Sequence, residues 1–235
     1  MAILKRLNAP RFWRIPRVKK KFVLAVGPGS HPMKRSYPLG VVLRDILKFA
    51  RNLKEVKFIL NSRLIELNGR VITNPNFPVG LSDIIYVKKE EKYFIVLPTP
   101  NGFEFREISK DSASQKLEKV VNKTKIKNGK IQITFHDGEN KIVDDESIKI
   151  NDTIILNTNT KEIKKRLEYK EGAYVIITSG ERAGEIGKID KIEIVHSSMP
   201  NTVTIDIKGN KIKSVPKNLF VIEKSIEFLK VKPNE

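Results

Sequence analysis

The sequence predicts an α+β protein built from several small domains, and three observations carry that prediction. Its 235 residues are 40% hydrophobic, enough to fill the cores of about two ordinary domains. Two segments at helical period stand within the first hundred residues and are followed by short strand-like runs punctuated by Gly, Asn and Pro. The third is charge: 45 Lys plus Arg against 27 Asp plus Glu leave +18, of which residues 1–35 alone hold +10.

Several function classes drop out at once. With no Cys there is no disulfide framework, thiolate zinc site, iron–sulfur cluster or thiol nucleophile. No stretch approaches the ~20 apolar residues that span a bilayer, and the run Phe22-Val23-Leu24-Ala25-Val26 stops at Gly27-Pro28. The amino terminus lacks an apolar core of signal-peptide length. The expectation is a cytoplasmic protein with no membrane partner.

Residues 1–38 read as a basic extension. Lys5, Arg6, Arg11, Arg14, Arg17, Lys19, Lys20, Lys21, Lys34 and Arg35 precede the first carboxylate, Asp45. Such a segment repels itself in water and is expected to need a polyanion to become compact. Phe12 and Trp13 lie among the cations, and Pro10, Pro16, Pro28 and Pro32 preclude a long amphipathic helix. Aromatics stack on unpaired bases while cations neutralise phosphates, so nucleic acid is the expected partner. His31 is expected at the surface or facing RNA.

Residues 39–98 turn globular. Leu43, Ile46, Leu47 and Ala50 predict a helix over 41–51, with Arg44, Lys48 and Arg51 on another face. A second helix is predicted over 54–62, burying Val56, Ile59 and Leu60 and leaving Lys54 and Lys57 outside. Ile65 and Leu67 then lead into Asn68-Gly69, a type I′ hairpin signal, with Val71 beyond it and a further strand over 84–87. Two helices followed by Arg63, Asn68-Gly69-Arg70-Val71, Pro75, Gly80, Asp83 and Ile84 resemble the S-four RNA-binding module. That resemblance implies RNA on the basic side of the helix pair and adjoining loop, at Arg44, Lys48, Arg51, Lys54, Lys57, Arg63 and Arg70. The helix starts, Val42-Leu43-Arg44 and Leu53-Lys54-Glu55, depart from the module's usual Arg-Leu-Asp and Ser-Arg.

Residues 99–168 predict a small central antiparallel β domain, from runs such as 131–135 and 154–156, with one helix over 109–121 turning Leu117, Val120 and Val121 inward. Its charges nearly cancel, which suits a scaffold. In residues 169–235 the text YKEGAYVIITSGERAGEIGKIDKI places Gly180, Gly184 and Gly187 between two strands, where glycine permits positive φ and close backbone approach. It resembles a KOW motif, which implies a small SH3-like barrel, closed by strands at 203–207 and 219–222 with Ile192 and Ile194, and assigns Arg182 and Lys188 to RNA. A Walker A loop is absent, since Arg182 stands where its first Gly belongs and Ile189 where Ser or Thr would follow Lys188.

No catalytic constellation emerges. His31, His136 and His196 are far apart without metal-ligand spacing, Asp144-Asp145-Glu146 reads as a solvated turn, and neither Gly-x-Ser-x-Gly nor Gly-Arg-Leu-Asp occurs. Neither an enzyme activity, a metal, a cofactor nor a small-molecule substrate is expected. Taken with Leu4-Lys5-Arg6-Leu7, Ala9-Pro10, Trp13, the 29–31 and Lys34 positions and the string 148–154, the whole chain resembles the archaeal and eukaryotic S-four-e family of small-subunit ribosomal proteins. The resemblance implies a non-catalytic binder of small-subunit rRNA, lying among neighbouring ribosomal proteins. A KOW-containing transcription elongation or RNA-remodelling factor, and an RNA-modifying enzyme, are the alternative classes.

Overall fold

The computed structural model describes residues 3–18, 20–126, 129–195 and 199–223. They form two compact units, one comprising the chain up to Leu97 together with Asn101–Lys116, the other Pro98–Pro100 and the described residues from Leu117 onward. Among the described residues strands far outnumber helices, so the fold is more β-rich than the sequence suggests.

In the first unit β1 (Ile3–Lys5) pairs antiparallel with β2 (Phe22–Leu24), and β3 (Ser36–Pro38) leads into α1 (Leu39–Val41), which continues as a π-helical turn, Val42–Ile46. Leu39, Val41, Val42 and Leu43 are fully buried. The helix expected over 41–51 therefore starts earlier and ends sooner, because Lys48 adopts a left-handed φ of 60°. α2 (Leu53–Asn61) starts where Asn52 Oδ1 accepts from Glu55 N–H (2.9 Å) while the Glu55 carboxylate accepts from Arg51 N–H (2.7 Å), a reciprocal cap. It buries Val56 and Leu60, and Arg63, at φ 55°, turns the chain out of it.

β4 (Ile65–Leu67) and β5 (Arg70–Val71) flank Asn68 and Gly69, both at positive φ as a type I′ turn requires. β6 (Pro78–Gly80) pairs with β3, and β7 (Ile84–Val87), β8 (Lys92–Thr99) and β9 (Gly102–Ile108) complete a sheet in the order β5-β4-β7-β8-β9. The core under this sheet contains Leu39, Val56, Leu60, Ile65 and Ile85, and also Ala9, Trp13, Ile15, Val23 and Leu24. The apolar residues of the basic segment thus belong to the first unit's core.

Beneath this core lies a buried charge. Asp83 is fully enclosed; Oδ2 lies 3.0 Å from His31 Nε2 and accepts from Gly80 N–H (2.8 Å), and Oδ1 accepts from the Asn68 amide (2.8 Å) with Lys116 Nζ 3.4 Å away. Asn68 Oδ1 in turn accepts from Ile84 N–H. Gly80 cannot carry a side chain, since a Cβ there would meet the His31 ring at 2.5 Å. Burial alone would push the Asp83 carboxyl up, but His31, Lys116 and the Gly80 N–H together hold it well below the usual carboxylate range.

α3 (Lys110–Ala113) is a single turn capped by Ser109, after which β10 (Gln115–Lys125) runs as a strand. The helix expected over 109–121 is therefore mostly strand. Its apolar residues mimic helical spacing, but Lys116, Glu118 and Lys119 are buried too, each against a polar partner distant in sequence.

In the second unit β10 neighbours β11 (Ile131–Phe135), which pairs with β12 (Asn140–Val143); β13 (Thr153–Asn157) and β14 (Ile163–Leu167) complete the order β12-β11-β10-β13-β14. Asp152 accepts from Lys149 N–H, Tyr169 N–H and Arg166 Nε at 2.8–2.9 Å, fixing the string 148–154. The second sheet, β18-β17-β16-β15-β19, uses β15 (Tyr174–Ile177), β16 (Ile186–Glu193), β17 (Thr202–Ile207), β18 (Asn210–Ser214) and β19 (Leu219–Ile222) around Val175, Ile189, Val203, Ile205 and Val221. Lys119 Nζ donates to the carbonyls of Pro216 (2.6 Å) and Leu219 (2.7 Å), and Val221 N–H donates to Thr153 Oγ1 (3.1 Å), fastening the two sheets. Ile192 packs on this core, whereas Ile194, expected to help close a barrel, is exposed.

Replacing Asp83 by Asn removes the buried carboxylate that faces both His31 and Lys116, which is expected to cost about 3–5 kcal/mol at neutral pH. Because the folded carboxyl lies below its unfolded value of about 4, its stabilisation is present above that pH and lost as pH falls through and beneath it. The gap between parent and Asp83→Asn is therefore expected to narrow below about pH 4. Urea unfolding followed through Trp13 emission at pH 7 and pH 3 checks both; equal stability at pH 7 contradicts the assignment.

Candidate nucleic-acid interface

The cations singled out in the sequence fall into two groups, one inward and one outward. Arg6 is 4% exposed. Its guanidinium donates to the carbonyls of Phe22 (3.2 Å) and Pro16 (2.5 Å). Arg17, half-buried, donates to the carbonyls of Arg6 (3.1 Å), Ala9 (2.9 Å) and Pro10 (2.8 Å). A chain with this many prolines and few ladder bonds leaves carbonyls unpaired, and the five-donor guanidinium satisfies several at once. Both arginines, expected on RNA, are consumed by the fold.

Trp13 is corrected in the same direction. It is buried, stacked on Tyr37 with ring centroids 5.6 Å apart, and its indole N–H donates to Ser36 O (2.9 Å). Phe12 meets Tyr37 edge-on at 5.3 Å and lies 5.7 Å from Phe103. Neither ring is presented for base stacking. His31, expected at the surface, is buried against Asp83. Lys19 lies outside the described residues.

The outward group is larger. Lys5, Arg11, Arg14, Lys20, Lys21, Lys34 and Arg35 are exposed on the segment preceding α1. Lys48, Arg51, Lys54, Lys57, Arg63 and Arg70 are exposed on and around the helix pair. Arg44 is the exception there, clasped by Asp45 through Nε (2.9 Å) and Nη2 (2.6 Å), a bond that raises its pKa and blunts its field.

The carboxylates explain why this surface stays positive. Residues 1–89 contain four, and the fold occupies each one. Asp45 holds Arg44, Glu55 caps α2, Glu66 pairs with Lys88 at 2.8 Å, and Asp83 is interior. Lys5, Arg11, Lys20, Lys21, Lys34, Arg35, Lys48, Lys54, Lys57 and Arg63 thus project into water with no acid of this stretch left to offset them. Phe58, 72% exposed on α2 beside Lys54 and Lys57, was missed by sequence reasoning. Its signal was available, since position 58 falls off the stripe of Val56, Ile59 and Leu60.

In the second unit Gly180 and Gly184 take φ of +100° and +91°, conformations that the loop between β15 and β16 requires and side chains resist. Gly187 serves packing instead, because a Cβ there would meet Ile205 at 2.5 Å and Ile207 at 2.7 Å. Lys188 is exposed, and Arg182 lies 3.7 Å from Glu185 across a solvated pair. Among the remaining polar residues, His136 Nδ1 lies 2.9 Å from Glu118 and its ring meets Phe220 edge-on. His196 lies outside the described residues. Asp144, Asp145 and Glu146 are exposed, and Asp145 caps Ser147 N–H, whose bond lowers its pKa. Among the described residues no three His, Asp or Glu side chains are grouped to hold a metal. Among the described residues no helix is long and apolar enough to cross a membrane.

Comparison with known proteins adds independent findings. The model described as "Ribosomal family S4e" matches residues 90–163, and that described as "RS4NT (NUC023) domain" matches residues 3–34. The chain is 38% identical over 223 residues to "Small ribosomal subunit protein eS4" of Methanothermobacter thermautotrophicus, covering 94% of this chain and 92% of that protein. It is 39% identical over 222 residues to the protein of the same name from Archaeoglobus fulgidus, with the same two coverages. The crystal structure of the 30S ribosomal protein S4e from Thermoplasma acidophilum superposes with a TM-score of 0.71 at 26% identity, covering 81% of this chain and 96% of that one.

The interior position of the sole Trp is open to direct test. In the free full-length protein Trp13 emission is expected to be blue-shifted and poorly quenched by acrylamide, and Trp13→Ala is expected to lose about 3–5 kcal/mol by circular dichroism. Solvent-like quenching would show the segment unfolded alone.

Proposed function

From the premise that the chain belongs to the S4e family of small-subunit ribosomal proteins, a structural and not a catalytic family, we propose that it binds small-subunit rRNA through one continuous basic surface of its first unit. The observation that carries this reading is the pairing of exposed cations with a complete absence of available carboxylates across residues 1–89. Residues 39–98 act as the S-four-like module, presenting Lys48, Arg51, Lys54, Lys57, Arg63 and Arg70. Residues 1–38 line the same unit with Lys5, Arg11, Arg14, Lys20, Lys21, Lys34 and Arg35.

The mechanism is electrostatic and pre-organised. Each Lys or Arg that neutralises a phosphate releases condensed counterions, and shape recognition follows from cations fixed on a rigid frame. The second unit, with the KOW-like loop at Gly180–Gly187 in residues 169–235 and a central β part, serves as scaffold and as the face toward neighbouring ribosomal proteins, with Lys188 and Arg182 as its RNA contacts.

Removal of the whole basic segment is a poor experiment, because Trp13 and His31 belong to the core. Point substitutions outside the core are cleaner. Arg11→Gln, Lys20→Gln and Lys21→Gln together are expected to flatten the slope of log affinity against log salt by about 2 units on an rRNA transcript, at roughly 0.7 per phosphate contact. Filter binding between low and moderate salt measures it; an unchanged slope removes these residues from the interface.

A further inference from the structure

The segment preceding α1 is built inside out. Arg6 is buried, yet its neighbour Leu7 is 77% exposed; Arg17 is half-buried, yet its neighbour Val18 is 95% exposed; and Phe22, whose carbonyl Arg6 grips, is 49% exposed. The cause is local. The guanidinium groups of Arg6 and Arg17 must turn inward to satisfy the carbonyls of residues 6, 9, 10, 16 and 22, so the adjoining apolar side chains are forced outward. The same bonds gather the three positions: Arg17 is tied to Arg6 O, Arg6 N–H donates to Lys21 O (3.0 Å), and Lys5 lies opposite Phe22 in the β1–β2 register. Three apolar side chains are thus left exposed on one braced knot, the kind of surface that marks a contact site.

Its rim names the partner. Lys5, Arg11, Lys20 and Lys21 are exposed on the same segment, Lys21 Nζ sits 5.5 Å from the centre of the Phe22 ring, and no carboxylate occurs before Asp45. A ligand fitting such a site is anionic at its edges and flat and apolar at its centre, which describes an unpaired nucleotide. We propose that Leu7, Val18 and Phe22 form an apolar seat for one or more unstacked bases of the RNA, with the surrounding cations on the flanking phosphates. This inference rests on the rRNA-binding reading given above and adds a contact that counterion release does not contain.

The two are separable because they move different observables. With full-length protein and a small-subunit rRNA transcript, Leu7→Ser, Val18→Ser and Phe22→Ser combined are expected to weaken binding about fivefold or more at every salt concentration, the low end of a base-stacking contribution. The salt slope is expected to stay unchanged, because no phosphate contact is lost. A second variant, Leu7→Met with Val18→Ile and Phe22→Trp, is expected to keep parental affinity, and unchanged thermal melting of both shows that the knot still folds. Parental affinity in the serine variant overturns the seat, and if that variant also leaves ribosomal particles the patch faces a protein neighbour instead. A flattened slope also overturns it, by placing these positions in phosphate contact. Failure of the parent protein itself to bind the transcript defeats the underlying rRNA reading and the seat with it, an outcome distinguishable from the others because no variant is needed to see it.

Discussion

The first unit depends on the enclosure of one carboxylate. Asp83 brings four separate parts of the chain to a point: His31 from the basic segment, Asn68 from the β4–β5 hairpin, Gly80 from β6, and Lys116 from the start of β10. A charge taken out of water this completely is tolerated only while every partner stays in place, so the contact acts as a geometric specification more than as a source of net stability. It also explains how a stretch with ten cations and no acid remains folded. That stretch is not asked to be compact alone; it is fastened through His31 to a carboxylate supplied by another part of the unit, and through Trp13 to Tyr37.

What the sequence made legible follows from how far each interaction reaches. The Asn68-Gly69 turn and the apolar stripe of α2 are local, and the structure forms both where the spacing implies. The partners of Asp83 lie 52 and 33 positions away and leave no periodic trace. The segment before α1 was misjudged for a related reason. Counting its charges treats every cation as solvated, whereas two arginines spend theirs on backbone carbonyls. β10 failed on pattern: a strand that buries Lys116, Glu118 and Lys119 does not alternate, so its three apolar residues fell by default onto a helical template. Lys48 ended the first helix through a left-handed φ that its residue type does not advertise.

The two units treat surface charge differently. In the second unit cations find carboxylates across the surface: Lys211 with Asp190 at 2.7 Å, Lys165 with Glu223 at 2.7 Å, Lys170 with Glu168 at 3.1 Å, Lys125 with Glu146 at 3.1 Å. Exposed pairs of this kind add little stability, but they cancel the far field. Within residues 1–89 the four acids are spent on capping α2, on clasping Arg44, on the Glu66–Lys88 pair and on the interior, so the field of the exposed cations of that stretch survives. The positive field is therefore strongest over residues 1–89, where the frame that positions the cations is braced by buried hydrogen bonds.

Bracing matters for affinity as much as charge does. A disordered basic tail could release the same number of counterions, but it would lose backbone and side-chain freedom at the moment of binding, about 1–2 kcal/mol for each residue fixed. Here that ordering has already been met during folding, by Arg6, Arg17, Trp13 and His31. Through these bonds they set where Lys5, Arg11, Lys20 and Lys21 stand. The same bracing leaves Leu7, Val18 and Phe22 exposed to water. Inward arginines and outward aliphatics are thus two sides of one constraint, the need to satisfy the carbonyls of a proline-rich chain that has little secondary structure of its own.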